Sequence, residues 1–515
     1  MKNLSFLKEL GVDKMVKFRE NSWNGKDYIN LENFLTDDIE VINYRLDALT
    51  DLMENRKLYE AMLETVPQID ALREIRSIGS AASDELDDLY SVRDLQIYLD
   101  LVDYLYDKLN GFELNSQLFK TVRDEINSVC KSEEYEKIKK SLPDNIDIIQ
   151  SLKSVTIGVN VDLALHPVEA GIVCVNNQNY MSGNIIDKLL RADISTNSFV
   201  CAAPLSVPAG ILSKEERDRY QFAINSGLQR ILKNALRSWK PAVKYYSQAK
   251  VNFLISYYSD LRFLIAAADF FYKLKSMNYP VCRPKAFPKE EKRFTVKQLY
   301  NPEYVLEVAH MTLNDISFDS EGMIYIFTGA NGGGKTLFAK SAAVCQALFQ
   351  LGLYVPAEYA EMSPCNEVLL HFTQKDTITK SRFMDECERM SSLMKSVDKY
   401  TMVFCDESFS GTSAAEASAI ASEVIKAMSA KGCRGIFITH IHDLIFLPEK
   451  LNSLDTCVSP VDNLTVAVET ETGKRLYKIL RGSAEMNSRA EDIARRYGLD
   501  YESLMEGSEP AVVKA

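Results

Sequence analysis

The sequence predicts an α/β domain with a mostly parallel sheet in its C-terminal part, after a mainly α-helical N-terminal part. Before residue 280, apolar residues mostly recur at steps of three and four, which is typical of helices. After residue 293, apolar strands alternate with helical segments, which is typical of a mostly parallel sheet covered on both faces. Residues 280–293, between the two parts, contain three prolines and seven charges and mark the boundary.

The N-terminal part contains three helical regions and one pair of strands. Helical spacing covers Ile39–Leu109, Ser116–Ser141 and Ser213–Met277. Val155–Val175 is rich in β-branched residues and predicts two strands around a turn near His166-Pro167.

The C-terminal part alternates strands with helices. The predicted strands are Met323–Thr328, Thr401–Cys405 and Gly435–Thr439, and the predicted helices are Leu337–Leu351 and Ala414–Ala430. The predicted domains are an N-terminal extension (1–38), a mainly helical domain (39–285), the α/β domain (286–485) and a C-terminal helix with a polar tail (486–515).

Composition restricts the class of protein. The chain has 515 residues, of which 46% are hydrophobic and 26% charged, as in soluble globular proteins. No apolar stretch is long enough to span a bilayer, and Met1–Lys14 has no secretory hydrophobic region, so we expect no membrane partner. Ten cysteines form no CxxC pair, and Cys345, Cys405 and Cys433 lie in apolar runs, which predicts buried, reduced thiols in a cytoplasmic protein.

The strongest motif is a glycine-rich loop between a predicted strand and a predicted helix. It has the pattern GxxxxGK[ST] and consists of Gly329, Ala330, Asn331, Gly332, Gly333, Gly334, Lys335 and Thr336, with Leu337 after it. Such glycines let backbone N–H groups turn toward phosphate oxygens at the helix N-terminus. Lys335 would neutralise the β- and γ-phosphates of ATP, and the Thr336 hydroxyl would bind Mg²⁺. The sequence therefore predicts a P-loop with ATP and Mg²⁺ as its cofactors.

Two acids and a histidine follow the next two predicted strands. Asp406 is predicted to hold Mg²⁺ directly or through water, and Glu407 to polarise the attacking water as general base. His440 is predicted to sense the γ-phosphate, because the carboxyl ends of strands form the ligand-binding edge of α/β sheets. His442 is the less favoured candidate for this role. This combination is typical of an ABC-type P-loop ATPase, which is the predicted class of enzyme.

Residues 327–447 resemble the MutS family of DNA mismatch-repair ATPases. Five motifs follow the family's order: the loop with Asn331, Tyr354-Val355-Pro356-Ala357-Glu358 with Ala360-Glu361, Ser381-Arg382-Phe383-Met384-Asp385-Glu386, Asp406-Glu407 with Gly411-Thr412-Ser413, and Thr439-His440. Weaker similarity to the lever helices and core of the family covers residues 39–55, 156–177 and 263–284, so that the resemblance reaches most of the chain.

The resemblance implies a homodimer whose two ATPase domains face each other. Ser381 would then reach the γ-phosphate bound by the partner subunit. It is equally suited to cap its own helix, which has Asp385 and Glu386 near its start, and the two roles are compatible. The resemblance also implies a DNA partner, duplex or branched, and a role in mismatch repair or recombination. ATP binding would close the two sites, and hydrolysis would reopen them.

The sequence departs from the family at three points. Phe409-Ser410 stand where most relatives carry Gly-Arg, and Met311 stands where relatives place an aromatic residue against adenine. Core-like helices begin near residue 39, so we expect the mismatch-reading domain to be lacking. DNA structures or junctions are then the expected target, rather than mismatches.

A run of basic residues is the candidate DNA contact. Arg230, Lys233, Arg237, Lys240 and Lys244 recur at steps of three and four, with no acid between residues 226 and 250. On a helix, which Pro241 would kink or end, they form one basic face suited to duplex phosphates. An ordinary solvated face explains the run equally well.

Two classes of function stay open. The basic face favours a DNA-binding ATPase. The net charge of −12 favours an ATP-switched module that clamps a protein or RNA partner. A transporter's ATP-binding subunit is disfavoured, because the sequence has no LSGGQ segment.

Overall fold

The structure is a computed structural model of the chain. It describes residues 6–17, 29–79, 87–142, 153–161, 167–178, 203–205, 214–246, 252–308, 310–329, 332–372, 382–409, 411–468 and 475–482. Ala330, Asn331, Ser381, Ser410 and the predicted C-terminal helix and tail lie outside these residues.

Helices account for most of the described N-terminal half. The α-helices are α1 (Phe6–Glu9), α2 (Val12–Met15), α3 (Ile39–Glu54), α4 (Arg56–Gly79), α5 (Asp87–Asn110), α6 (Gln117–Cys130), α7 (Glu133–Lys140), α8 (Lys214–Ile231), α9 (Lys233–Tyr246), α10 (Asn252–Ser256), α11 (Tyr258–Ser276), α12 (Pro302–Glu307), α13 (Lys335–Gln350), α14 (Arg382–Ser396), α15 (Ala414–Lys431) and α16 (Leu447–Asn452). Short 3₁₀ turns lie at Leu31–Phe34, Lys289–Glu291 and His442–Phe446.

The strands form three sheets. They are β1 (Ser154–Val161), β2 (Pro167–Asn176), β3 (Ala203–Leu205), β4 (Lys285–Ala286), β5 (Phe294–Leu299), β6 (Asn314–Phe318), β7 (Ile324–Phe327), β8 (Tyr359–Met362), β9 (Val368–His371), β10 (Met402–Asp406), β11 (Arg434–Ile438), β12 (Val461–Val468) and β13 (Arg475–Arg481). The sheet orders are β1-β2-β3, β4-β8-β5-β6 and β13-β12-β7-β11-β10-β9.

The six-stranded sheet confirms the predicted strand–helix alternation. Its strands from β12 to β9 pair in parallel, and β13 adds an antiparallel edge. Strands β7, β10 and β11 are almost fully buried, as expected for parallel strands covered on both faces. The four-stranded sheet was not predicted. Its strands are only two to six residues long and leave a weak periodic signal.

The chain divides into two compact units. The first unit comprises residues 1–54 and 263–515, and the second comprises residues 55–262. This division differs from the predicted boundary at 285/286, because α3 and the C-terminal part of α11 are built into the first unit. The Phe34 ring stacks on the Phe263 ring at 4.1 Å, and the Tyr272 hydroxyl donates to the Leu52 carbonyl at 2.7 Å.

Residues 6–17 are also packed into the first unit, although the sequence predicted only an extension there. Helix α1 contacts β9, and α2 contacts α13. The buried side chains of this segment are Phe6, Leu7, Leu10, Val12 and Met15. Gly11 has a φ of 71°, and a Cβ at this position would lie 2.8 Å from a carboxylate oxygen of Glu303. The left-handed backbone conformation therefore favours glycine at the turn between the two helices.

The second unit contains α4 to α10 and the antiparallel sheet β1-β2-β3, which confirms the predicted strand pair. The amphipathic helix α9 packs against α5 and α7 through buried Leu236, Trp239 and Tyr246. Pro241 does not end the helix, because α9 continues through this residue. Pro241 is exposed, so water can bond the backbone carbonyl that the proline leaves without an N–H donor. Leu232 separates α8 from α9, but its N–H donates to the Leu228 carbonyl at 2.8 Å and its carbonyl accepts from the Leu236 N–H at 2.9 Å, so helical hydrogen bonding continues across it.

Two predictions from composition can be compared with the structure. Cys345, Cys405 and Cys433 are fully buried, and the nine cysteines within the described ranges are free thiols. In the described part of the chain, no helix is both long and apolar enough to cross a membrane.

Candidate active site

The glycine-rich loop connects the buried strand β7 to the N-terminus of α13. Gly329, Gly332 and Gly334 have φ values of 134°, 71° and 85°, which side chains with a Cβ rarely adopt. Lys335 is buried and donates to the Gly329 carbonyl at 2.6 Å, so its ammonium group lies over the loop. The described glycines of the loop therefore have the backbone angles that a phosphate-binding loop needs, and the buried Lys335 side chain reaches back to Gly329.

Thr336 and Asp406 form the second part of the site. Thr336 is half-buried on the first turn of α13, Asp406 is buried at the end of β10, and the two side chains are hydrogen-bonded. Burial raises the pKa of Asp406 above its ordinary value, and nearby Glu407 raises it further, while the Thr336 hydroxyl and Lys335 oppose these effects. A hydroxyl and a carboxylate oxygen are suitable Mg²⁺ ligands.

This donor pair fits a magnesium ion held mainly by water and substrate. Within the described residues, no group of three or more His, Cys, Asp or Glu side chains could form an all-protein metal cage. Mg²⁺ in phosphoryl-transfer sites needs only one or two protein ligands, because water and phosphates supply the others. Bound there, it would neutralise charge developing on the phosphate oxygens.

Glu407 and His440 lie together beside this pair. Strands β7, β11 and β10 are adjacent and parallel, so that the loop, His440 and the two acids meet at one edge of the sheet. The Nε2 atom of His440 lies 2.6 Å from Oε1 of Glu407, and more than a third of each side chain is exposed. The geometry allows Glu407 to orient a water molecule while His440 orients Glu407.

The other predicted residues of the site can be located individually. Gly333 is buried within the loop, and Leu337 is half-buried on the first turn of α13. His442 is exposed at the start of a 3₁₀ turn.

Sequence reasoning missed Tyr477 on the edge strand β13. Its ring atom Cδ1 is 3.8 Å from the position that a Cβ on Gly334 would take, and about half of the side chain is exposed. Its backbone, at a φ of 54°, is held by Asn314, whose side-chain amide donates to the Tyr477 carbonyl at 3.0 Å. No local motif surrounds Tyr477, so only the pairing of β13 with β12 could reveal its position.

Sequence reasoning also missed His371 and Ser408. His371 is the last residue of β9, and its Nδ1 atom is 2.8 Å from the hydroxyl of Ser408. Ser408 directly follows Glu407 in the chain. The departure at Phe409 is accommodated here: it has a φ of 67°, and its side chain is buried in the core. An aromatic side chain thus occupies a backbone conformation that favours glycine.

Comparisons with known proteins identify similar sequences. Residues 325–503 match the family model of MutS domain V. The DNA mismatch repair protein MutS of Lactobacillus delbrueckii subsp. bulgaricus is 31% identical over 255 residues, which are 47% of this chain and 28% of that protein. The MutS protein of Chlorobium phaeovibrioides is 24% identical over 496 residues, 90% of this chain and 54% of that protein.

A third relative carries a different functional name. Endonuclease MutS2 of Lactiplantibacillus plantarum is 27% identical over 296 residues, which are 57% of this chain and 35% of that protein. The chain spans about half or less of the length of these curated relatives.

The fold and the site define an α/β domain of the ABC-type P-loop ATPases. The phosphate loop, the acid pair and the histidine lie on three adjacent parallel strands, and domain V of MutS is an ATPase domain of this type. Residues 325–503 are thus similar to MutS domain V, and most of the chain is similar to proteins named MutS.

Proposed function

We propose that the protein is a MutS-type ATPase that couples ATP hydrolysis in a dimer to the clamping of DNA. The observation that best supports it is the Glu407–His440 contact, at the sheet edge that also carries Lys335, Thr336 and Asp406. A general base, its orienting partner, a phosphate-binding lysine and an oxygen-donor pair are the groups needed for hydrolysis of ATP.

The residues of the loop would divide the binding of ATP among them. The backbone N–H groups of residues 329–337 would hold the phosphates, and Lys335 would leave the Gly329 carbonyl to bind the β- and γ-phosphates. Thr336 and Asp406 would hold Mg²⁺. The Tyr477 ring is half-exposed beside Gly334. Because position 311 carries no aromatic residue, this ring would offer the adenine of ATP a stacking surface.

The proposed dimer rests on the family and on the motif around Ser381. In this arrangement Ser381, just before α14, contacts the γ-phosphate bound by the other subunit, so each site is complete only when ATP joins the two domains. Closure would then depend on ATP, and hydrolysis would reopen the sites.

The basic face of the second unit supports DNA as the partner. The side chains of Arg230, Lys233, Arg237, Lys240 and Lys244 are all exposed, whereas the opposite side of α9 is buried. Arg230 lies near the end of α8 and the other four lie on α9, at steps of three and four residues. We call these five residues the basic stripe. In this proposal the second unit belongs to the lever and core region, at residues 39–285, and duplex or branched DNA is bound through phosphates.

A second candidate function is an ATP-switched clamp on RNA or protein. The net charge of −12 favours it, because an acidic protein repels nucleic acid over most of its surface. The reduced cysteines support a cytoplasmic location for either function.

Binding experiments with the full-length chain separate the two functions. Labelled duplex DNA, a four-way DNA junction and single-stranded RNA are titrated at several salt concentrations, with ATP, ADP or no nucleotide. We expect DNA to be bound, with an affinity that changes with the nucleotide and falls with salt, and DNA to alter ATP turnover. Absence of DNA binding in a protein that hydrolyses ATP would favour the clamp on another partner.

A further inference from the structure

The turn after β10 holds two residues in a disfavoured backbone conformation. Glu407 has a φ of 49° and Phe409 a φ of 67°, both in the left-handed region. Residues with a Cβ avoid this region, and such conformations persist only where the surroundings hold them. The orientation of the Glu407 carboxylate therefore depends on what holds this turn.

Ser408, between these two residues, carries the side-chain anchor of the turn. Its hydroxyl is 2.8 Å from Nδ1 of His371, and both residues are buried. The backbone N–H of Glu407 also donates to the Ile438 carbonyl at 3.1 Å, but any residue at position 407 could make that bond. The Ser408 hydroxyl also interacts with the Cys405 thiol on β10, but the hydrogen bond to His371 is the contact that connects the turn to another strand, β9.

The second nitrogen of His371 fixes the direction of this hydrogen bond. Nε2 lies 3.3 Å from the Glu386 backbone carbonyl, which can only accept. Nε2 therefore carries the proton, and Nδ1 accepts from the Ser408 hydroxyl. The buried imidazole of His371 therefore connects the turn to α14. The backbone of His371, at the end of β9, pairs with that of Cys405 on β10.

The surroundings keep the imidazole neutral and in place. Burial and the nearby Arg389 guanidinium lower the pKa of His371 to about 4, while the hydrogen bond to the Glu386 backbone and the Asp385 carboxylate act in the opposite direction. The Phe409 ring lies 6.5 Å from the imidazole, centre to centre, and packs within the buried core of the unit.

We propose that His371 is a positioning residue that, through Ser408, holds the Glu407 carboxylate in its hydrolytic orientation and links that turn to α14. This inference rests on the proposed role of Glu407 as general base. His371 itself does not touch the reacting atoms. If the bond is lost, the turn can relax toward ordinary backbone angles, and a displacement of about 1 Å at a catalytic group can lower turnover as much as 100-fold.

The test compares kcat with ATP affinity in the full-length protein. Ser408→Ala and His371→Leu should lower kcat about 10- to 100-fold while the Kd for ATP stays within about twofold, because the phosphate loop is untouched. His371→Asn, which keeps an acceptor near the Nδ1 position, and Ser408→Thr, which keeps the hydroxyl, should recover most of the lost kcat. The double variant should be no slower than either single variant, because both substitutions break the same hydrogen bond.

A matched control shows whether the loss of any buried serine hydrogen bond in this unit lowers kcat. Ser429 on α15 is equally buried and donates to the Ser459 carbonyl at 2.7 Å, away from the turn. Ser429→Ala should keep the kcat of the unsubstituted protein. An equal loss of kcat in this control, or multiplicative losses in the double variant, would overturn the inference.

Two further outcomes separate this inference from the proposed function. If Glu407→Gln abolishes turnover but folded Ser408→Ala has normal kcat, His371 does not position the base. If Glu407→Gln itself turns over normally, the assignment of the general base fails and the inference fails with it. Should His371→Leu not fold, Ser408→Ala and Ser408→Thr decide the question by themselves.

Discussion

Nε2 of His440 lies 2.6 Å from Oε1 of Glu407, although the two residues are 33 positions apart in the chain. The contact exists because β10 and β11 pair in parallel and end at the same edge of the sheet. It orients the carboxylate before any substrate is present. Hydrolysis would then require little reorganisation at the general base, which is a main source of catalytic advantage in preorganised sites.

Glu407→Gln should bind ATP with little change in affinity but hydrolyse it about 10²- to 10⁴-fold more slowly. The amide cannot accept a proton from water, whereas the phosphate cradle stays intact. Single-turnover hydrolysis and equilibrium ATP binding measure the two effects. The control is Glu423→Gln, which changes an exposed acid on α15 of the same unit. Normal turnover in Glu407→Gln would remove Glu407 from its proposed role.

Lys335→Ala should weaken ATP binding itself, because the buried ammonium group over the loop is removed. The Kd for ATP is measured by calorimetry, with Lys426→Ala as control, since Lys426 is an exposed lysine on α15. Equal ATP affinity in Lys335→Ala and the unsubstituted protein would contradict the assignment of the loop.

Mixed dimers test whether Ser381 acts on the other subunit. Ser381→Ala and Lys335→Ala proteins, each impaired alone, should recover about one working site per heterodimer, because one of its two sites then combines an intact loop with an intact serine. The heterodimer is isolated with two affinity tags, and its kcat is compared with that of each homodimer. If the kcat of the heterodimer is no greater than that of the homodimers, Ser381 does not act on the other subunit and only caps its own helix.

The basic stripe is tested by the salt dependence of DNA binding. Neutral substitution of Arg230, Lys233 and Arg237 should flatten the slope of log affinity against log salt by about one unit per residue. The reason is that DNA binding releases fewer counterions for each phosphate contact that is removed. Substitution of the exposed Lys57 and Lys131, elsewhere in the second unit, should leave the slope unchanged. ATPase activity without DNA should persist in both variants. An unaltered slope in the stripe variant would favour the clamp on another partner.

The buried imidazole of His371 predicts a loss of stability in mild acid. Its pKa is lowered from 6.5 to about 4 in the folded protein, so the unfolded chain binds an additional proton between these values. The contribution of the neutral imidazole is complete above pH 6.5 and falls as the pH decreases toward 4, by about 3 kcal/mol in total. The melting temperature between pH 7 and 4.5 should therefore fall more steeply than in His371→Asn. Parallel curves would show that His371 does not titrate in this way.

Some features could be predicted because they depend on consecutive residues. The loop from Gly329 to Thr336 is recognisable because strand, glycines and helix follow one another in the chain. The acid pair at 406 and 407 is recognisable because a buried strand precedes it. Local reasoning left open whether Pro241 kinks or ends its helix, and the structure shows that the helix continues past this exposed residue.

The sequence by itself determined the phosphate loop, the acid pair, the strand–helix alternation and the resemblance to the MutS family, because each is expressed in short local patterns. Only the tertiary structure decided that His440 contacts Glu407, that His371 anchors Ser408, and that Tyr477 lies beside Gly334. These contacts join residues far apart in the chain. They depend on strand order and on the close packing of side chains between strands, which no local periodicity encodes.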